Sequence, residues 1–97
     1  MKDGLPEQQS REVQDEKRER AALERLAALL ADVCGAPVSS LGPDAAPGVT
    51  PGWDSVVTVE FINAVEDELG VSISTAESLT IKSLGDMARL VAAKSAP

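Results

Sequence analysis

The hydrophobic residues of the chain repeat with a helical period in two long segments. In the first, apolar residues recur every three or four positions up to Val33, which predicts a helix from about Val13 to Cys34. In the second, the same spacing runs from about Ser55 to Leu69 and stops before Gly70. No segment alternates apolar and polar residues as a half-buried strand does, so the pattern indicates an all-α protein.

Two shorter helices are predicted downstream by their capping residues. Ser74 and Glu77 have the spacing of a capping box, which predicts a brief third helix through about Leu79. Ser83 repeats a capping pattern before a fourth helix that places its apolar residues on one face. Residues 36–52 are rich in Pro and Gly, which predicts a long loop between helices one and two. We expect three residues to pin this loop to the core: Val38, Leu41 and Val49.

These elements predict a four-helix bundle with a short third helix and a long loop between helices one and two. Residues 1–12 lack apolar periodicity and contain Gly4 and Pro6, so we expect a flexible N-terminal tail. The helical domain is predicted over 13–94, with a C-terminal tail at 95–97. An initiating Met1 and the short C-terminal tail favour a separate chain over a module cut from a larger protein.

Composition argues against catalysis. The 97 residues include no His, no Tyr and a single Cys, so a catalytic triad, most metal sites and an internal disulfide are excluded. A Ser–Lys pairing is disfavoured because none of the four lysines is near Ser55 in sequence. Cys34 is interpreted as a small core residue at the end of helix one. We therefore expect a non-catalytic protein with no metal site.

The charge distribution narrows the range of partners. The net charge is −7, and between Arg25 and Lys82 there are eight acidic residues and no Lys or Arg. Such a surface repels nucleic acid and anionic membranes. No apolar run approaches the roughly 20 residues of a membrane span, and the single Cys suits a reducing cytoplasm. The acidic stretch is either a solvated face that maintains solubility or a surface that attracts basic partners.

Helix two has apolar residues on two opposite faces. One face is predicted to pack in the core and contains Thr58, Phe61, Ile62, Val65 and Leu69. On the other face, Val56 and Val59 lie among Glu60, Asn63, Glu66 and Asp67. Valines surrounded by carboxylates suit a docking surface, although isolated exposed valines are also common.

The start of helix two is the strongest candidate for chemistry. Asp54 and Ser55 are both preferred N-cap residues, and one of them is expected to accept a backbone N–H. The positive end of the helix dipole would also favour a phosphodiester on Ser55. Trp53, the only Trp, either braces this turn or contacts a partner.

From these residues the chain resembles an acyl carrier protein. The matching string is Asp54-Ser55-Val56, and the similarity continues through the rest of helix two to the last helix, over about residues 20–93. The resemblance implies that Ser55 carries a 4′-phosphopantetheine arm from coenzyme A and that Asp54 assists the transferase. It implies a partner-docking set of Trp53, Val56, Val59, Glu60, Asn63 and Asp67. Val56 replaces the usual Leu, and Val57 stands where a polar residue is common.

The implied function is carriage of acyl intermediates as thioesters to partner enzymes, with polyketide or other specialised biosynthesis as the first hypothesis. The implied partners are a phosphopantetheinyl transferase and acyl-handling enzymes such as a ketosynthase or acyltransferase. The alternatives are a carrier in primary fatty-acid synthesis, a peptidyl carrier, and an unmodified helical adaptor. A monomer is expected. An acyl chain in the bundle would be lined by Phe61, Ile62, Val65, Ile73, Leu79 and Ile81.

Overall fold

The computed structural model describes the backbone of residues 7–95 and the side chains of residues 14–95. Within this range all regular structure is helical: α1 spans Glu7–Cys34, α2 Ser55–Leu69, α3 Thr75–Ser78 and α4 Leu84–Ser95. A single 3-10 turn, Val38–Ser40, lies in the long connection between α1 and α2. The predicted all-α class, the brief third helix and the long first loop are confirmed.

Helix α1 begins earlier than the apolar pattern indicated. It starts at Glu7 rather than near Val13, so half of the predicted N-terminal tail is helical. Glu, Gln, Arg and Lys have good helix propensity, but their polarity gives no apolar repeat to detect. Residues 1–6 of that predicted tail, and 96–97 of the C-terminal one, lie outside the described residues. The division into tails and domain remains a prediction.

The ends of α2 and α3 follow the capping residues. The Asp54 carboxylate accepts the Val57 N–H at 2.9 Å, and α2 ends where Gly70 takes a left-handed conformation with φ 67°. Ser74 and Glu77 form the full capping box, each side chain accepting the other residue's N–H. The predicted start and end of α2 and the predicted start of α3 are thereby confirmed.

The core is built around α1, which packs along α4 and against α2. Phe61 and Val65 of α2 are fully buried, whereas Thr58, Ile62 and Leu69 of the predicted core face are only half-buried. The other buried core residues are Ala22, Leu26, Ala27, Leu30, Leu41, Ala45, Trp53, Leu84, Met87, Ala88 and Val91. α1 is the central helix of the bundle.

The long loop is anchored by the buried side chains of Leu41 and Ala45 and by backbone hydrogen bonds to α4. Leu41 is buried as predicted, but Val38 and Val49 are 53% and 78% exposed, so the expectation that both valines pin the loop is wrong. Instead the loop carbonyls of Pro43 and Ala45 accept the first N–H groups of α4, at 2.9 and 2.8 Å. These bonds satisfy donors that the start of a helix leaves without partners, and so the loop is fixed to α4.

The short helix α3 is tied to α4 by an ion pair. Lys94 Nζ lies 2.9 Å from Glu77 Oε2, while the other Glu77 oxygen accepts the Ser74 N–H. The pKa of Glu77 is lowered below its usual value of 4.5. The largest cause is the hydrogen bond from the Ser74 N–H, and the next is the hydrogen bond from Lys94. A lowered pKa means that Glu77 stabilises the fold above that usual value. The contribution is lost as the pH falls through the lowered pKa.

We expect Lys94→Met to raise the pKa of Glu77 and to lower the melting temperature near neutral pH. The difference from wild type should shrink in acid, where Glu77 is protonated in both proteins. A carboxyl NMR titration with thermal melts measures both effects. Arg89→Met is the matched control, because Arg89 pairs with Asp86 and not with Glu77. An unchanged Glu77 titration in Lys94→Met would contradict this account of the pKa.

Candidate functional site

The Ser55 side chain lies at the first residue of α2 and is exposed. The N-cap is Asp54, whose carboxylate accepts the hydrogen bond of the Val57 N–H, so the Ser55 side chain does not cap the helix. Its hydroxyl makes no hydrogen bond with any described residue. The sequence left open which of the two residues caps the helix, and the structure assigns this role to Asp54. The Ser55 hydroxyl is therefore accessible and unengaged.

The Trp53 side chain braces the start of α2 from inside the protein. It is only 2% exposed and packs edge-to-face on Phe61, with ring centroids 5.9 Å apart and planes at 83°. Its Nε1–H donates to Thr58 Oγ1 at 2.8 Å, and the Thr58 hydroxyl donates to the Asp54 carbonyl at 2.9 Å. This relay of two hydrogen bonds ties the residue before Ser55 to the core.

Trp53 is consequently removed from the predicted docking set. A ring that is buried with its N–H satisfied is unavailable to a partner in this conformation. Thr58 was predicted only as a core-face residue, and its role in the relay was missed. The available signal was a threonine in the first turn of a helix five residues after a tryptophan, a spacing that alone does not specify a hydrogen bond.

The segment before Ser55 lies directly against the end of α1. Gly52 has φ 83°, and a Cβ at this position would come within 2.7 Å of the Cys34 carbonyl oxygen. Both the backbone conformation and the close approach require glycine. The Trp53 carbonyl also accepts the Gly48 N–H at 2.8 Å. The turn that presents Ser55 is thus held by the loop, by α1 and by the Trp53 side chain.

The outer face of α2 displays the other predicted docking residues. Val56 and Val59 are 65% and 59% exposed, and the side chains of Glu60, Asn63 and Asp67 are also exposed. Glu66 differs because its Oε2 accepts the Ile73 N–H at 2.8 Å, which commits it to holding the link after α2. The five exposed residues form a mixed acidic and apolar surface, called the α2 face below.

The residues expected to line an acyl chain occupy different environments. Phe61 and Val65 are packed in the core, and Ile62, Ile73 and Ile81 lie half-buried at its edge. Leu79 is 73% exposed, so it does not line an interior space here. It follows α3 at a turn, where no helix covers it.

The described residues form a small helical bundle with an exposed serine hydroxyl at the start of α2, an arrangement that suits covalent attachment of a group. Residues 24–91 match the family model for the phosphopantetheine attachment site, and the chain belongs to this family of carrier domains. Its cofactor is 4′-phosphopantetheine, held covalently. Carrier domains of this family are generally non-catalytic and interact with phosphopantetheinyl transferases and acyl-handling enzymes. Over the described residues, no helix is both long and apolar enough to cross a membrane.

The residues at the start of α2 fit this cofactor. A phosphodiester needs a free hydroxyl and neighbouring hydrogen-bond donors, and the first-turn N–H groups of Ser55 and Val56 have no partner among the described residues. The positive end of the α2 dipole adds a favourable field for the anion. When bound, the arm supplies a terminal thiol for thioester formation.

Proposed function

We propose that this chain is an acyl carrier protein whose 4′-phosphopantetheine arm is attached to Ser55. The observation that carries the proposal is the exposed Ser55 hydroxyl beside the Asp54 cap, inside the region matched by the family. The arm would hold acyl intermediates as thioesters and present them to other enzymes. The chain itself would supply position and recognition without catalysis, and the arm would supply reach.

The α2 face is the proposed partner-docking surface, with Val56, Val59, Glu60, Asn63 and Asp67 as its contact residues. Its carboxylates would steer a basic partner, while its exposed valines would add apolar contact area. Asp54 lies beside Ser55 and would take part in recognition by the transferase. The proposed partners are a phosphopantetheinyl transferase and enzymes such as a ketosynthase or acyltransferase. A cytoplasmic monomer suits these partners.

Polyketide or other specialised biosynthesis is the proposed setting. At the position after the serine, the Val56 side chain is shorter than the usual leucine and makes a smaller apolar contact. This favours partner enzymes adapted to the shorter side chain. The same fold would also serve primary fatty-acid synthesis or a peptidyl carrier. The acidity of α2 makes the peptidyl role the weaker alternative.

Intact-protein mass spectrometry tests the proposal directly. The chain is incubated with coenzyme A, magnesium and a broad-specificity phosphopantetheinyl transferase, and the modified peptide is then mapped. We expect one phosphopantetheine on the peptide that contains Ser55. No addition, while a known carrier in the same tube is modified, would instead favour an unmodified adaptor that uses the same bundle.

We expect Val59→Arg to weaken partner binding with little loss of stability. The substitution removes an apolar contact and places a positive charge in an acidic surface, for an expected loss of about 1–2 kcal/mol, or roughly five- to thirty-fold in Kd. Calorimetric titration with the transferase measures the effect. Val49→Arg is the matched control, since Val49 is exposed on the loop and outside the α2 face. Equal binding by both variants would remove Val59 from the docking surface.

A further inference from the structure

A mainly apolar cleft lies between the end of α1 and the segment just before Ser55. Its volume is about 480 Å³, and its walls include Ala36 and Pro37 after α1 and Pro51 before α2. Cys34 lines the same space, and Ser40 is the only other residue of the lining with a polar side chain. No charged side chain lines it. The α2 face and the resemblance to acyl carriers leave this cleft without a role.

The cleft is within reach of a group attached to Ser55. Gly52 lines it and precedes Ser55 by three residues, so their Cα atoms are at most about 11 Å apart. A phosphopantetheine arm has a dozen or so bonds of ordinary length and extends roughly 15 Å. The arm can therefore pass from Ser55 into the cleft.

The polar groups of the cleft complement a neutral chain that contains amides. The last carbonyls of a helix have no intrahelical donor, and the Cys34 and Gly35 carbonyls accept no hydrogen bond from the described residues. The Gly52 backbone covers one side of the Cys34 carbonyl, since a Cβ on Gly52 would come within 2.7 Å of its oxygen. The pantetheine part of the arm carries two amide N–H donors between apolar segments. Carbonyl acceptors among alanine and proline side chains suit that chemistry.

We propose that this cleft is the resting site of the pantetheine part of the arm, with the terminal thiol beside Cys34. The proposal rests on attachment of the arm at Ser55. In this resting state the thiol lies at the end of α1, in a cleft whose lining includes no residue of the α2 face. Loading the arm then requires it to leave the cleft, so occupancy of the cleft lowers the fraction of carrier that is ready for a partner.

Thiol trapping in the modified wild-type protein tests the resting site. After mass spectrometry confirms the arm on Ser55, diamide is added as a two-electron oxidant. The arm thiol and the Cys34 thiol lose one proton and one electron each to form an intramolecular disulfide, and diamide becomes the hydrazine. The comparison variant is Cys34→Ser/Leu79→Cys, which moves the thiol to a more exposed position beside α3. We expect trapping at Cys34 to be at least ten-fold faster.

Two phenylalanine variants separate occupancy of the cleft from the reactivity of the thiols. Ser40→Phe fills the cleft and should reduce the trapping rate several-fold. Ser39→Phe changes the same 3-10 turn outside the lining and should leave the rate unchanged. Amide NMR shifts between the apo and modified proteins should concentrate at Gly35 and Gly52.

The outcomes distinguish this proposal from the proposed function. Absence of the arm from Ser55 would overturn both. An arm on Ser55 with equal or faster trapping at residue 79, or with no shifts at Gly35 and Gly52, would overturn the resting site and leave carriage intact.

Discussion

Ser55→Ala is expected to abolish phosphopantetheine attachment completely while leaving the fold intact. The reaction needs a hydroxyl, and the Ser55 hydroxyl is exposed at the start of α2 and makes no hydrogen bond with the described residues. The substitution removes no hydrogen bond to the described residues, so stability should change by no more than about 0.5 kcal/mol. Intact mass after incubation with the transferase measures attachment, and thermal melting measures the fold.

Ser72→Ala is the matched control for this experiment. Ser72 is also exposed, but it lies in the link between α2 and α3 and not at a helix start. We expect this variant to be modified as fully as wild type. Full modification of Ser55→Ala would place the arm elsewhere. A large drop in the melting temperature of Ser55→Ala would show that the hydroxyl has a structural role, although it makes no hydrogen bond with the described residues.

The sequence predicted most of what depends on local chemistry. Asp54, Gly70 and the Ser74–Glu77 box set helix ends through hydrogen bonds to residues within four positions, so their spacing is visible in the chain. Phe61 and Val65 were placed in the core by helical periodicity alone. These features need no knowledge of how the helices pack together.

What the sequence did not predict depends on contacts between distant segments or on the absence of a pattern. Val49 and Leu79 are apolar and were expected in the core or at a lining, yet no packed helix covers either. The attachment of the loop to α4 uses backbone carbonyls, which are the same in every residue and leave no trace in composition. The early start of α1 was missed because its first turns are polar.

In the candidate site, too, features set by local sequence were predicted, and features set by packing between distant segments were not. The position of Ser55 at a helix start and the residues of the α2 face followed from periodicity, and in the structure these side chains are exposed. Their roles in attachment and docking remain predictions. The environment of Trp53 could not be read in the same way, because a tryptophan can serve equally as a core residue or as a contact for a partner. Only the packing on Phe61 and the bond to Thr58 decide between them.

Trp53→Ala is expected to cost about 3–5 kcal/mol of folding free energy, the range for truncating a large buried aromatic residue. The substitution removes the packing on Phe61 and leaves the Thr58 hydroxyl without its donor. A small domain has only about 5–15 kcal/mol of folding stability in total. The loss should therefore leave a large fraction of the protein molecules unfolded at physiological temperature. Urea denaturation monitored by circular dichroism measures the loss.

Trp53→Phe separates the packing of Trp53 from its hydrogen bond. Phenylalanine keeps an aromatic ring against Phe61 but cannot donate to Thr58, so we expect a smaller loss of about 1–2 kcal/mol. If the relay through Thr58 positions Asp54 and Ser55, the folded Trp53→Phe protein should also be modified more slowly, with a lower kcat/KM for the transferase. Thr58→Val should reproduce that slowing, since it breaks the relay while the ring stays in place. Unchanged modification rates in both variants would limit Trp53 to a role in stability, because the start of α2 would then hold its geometry through the Asp54 cap alone.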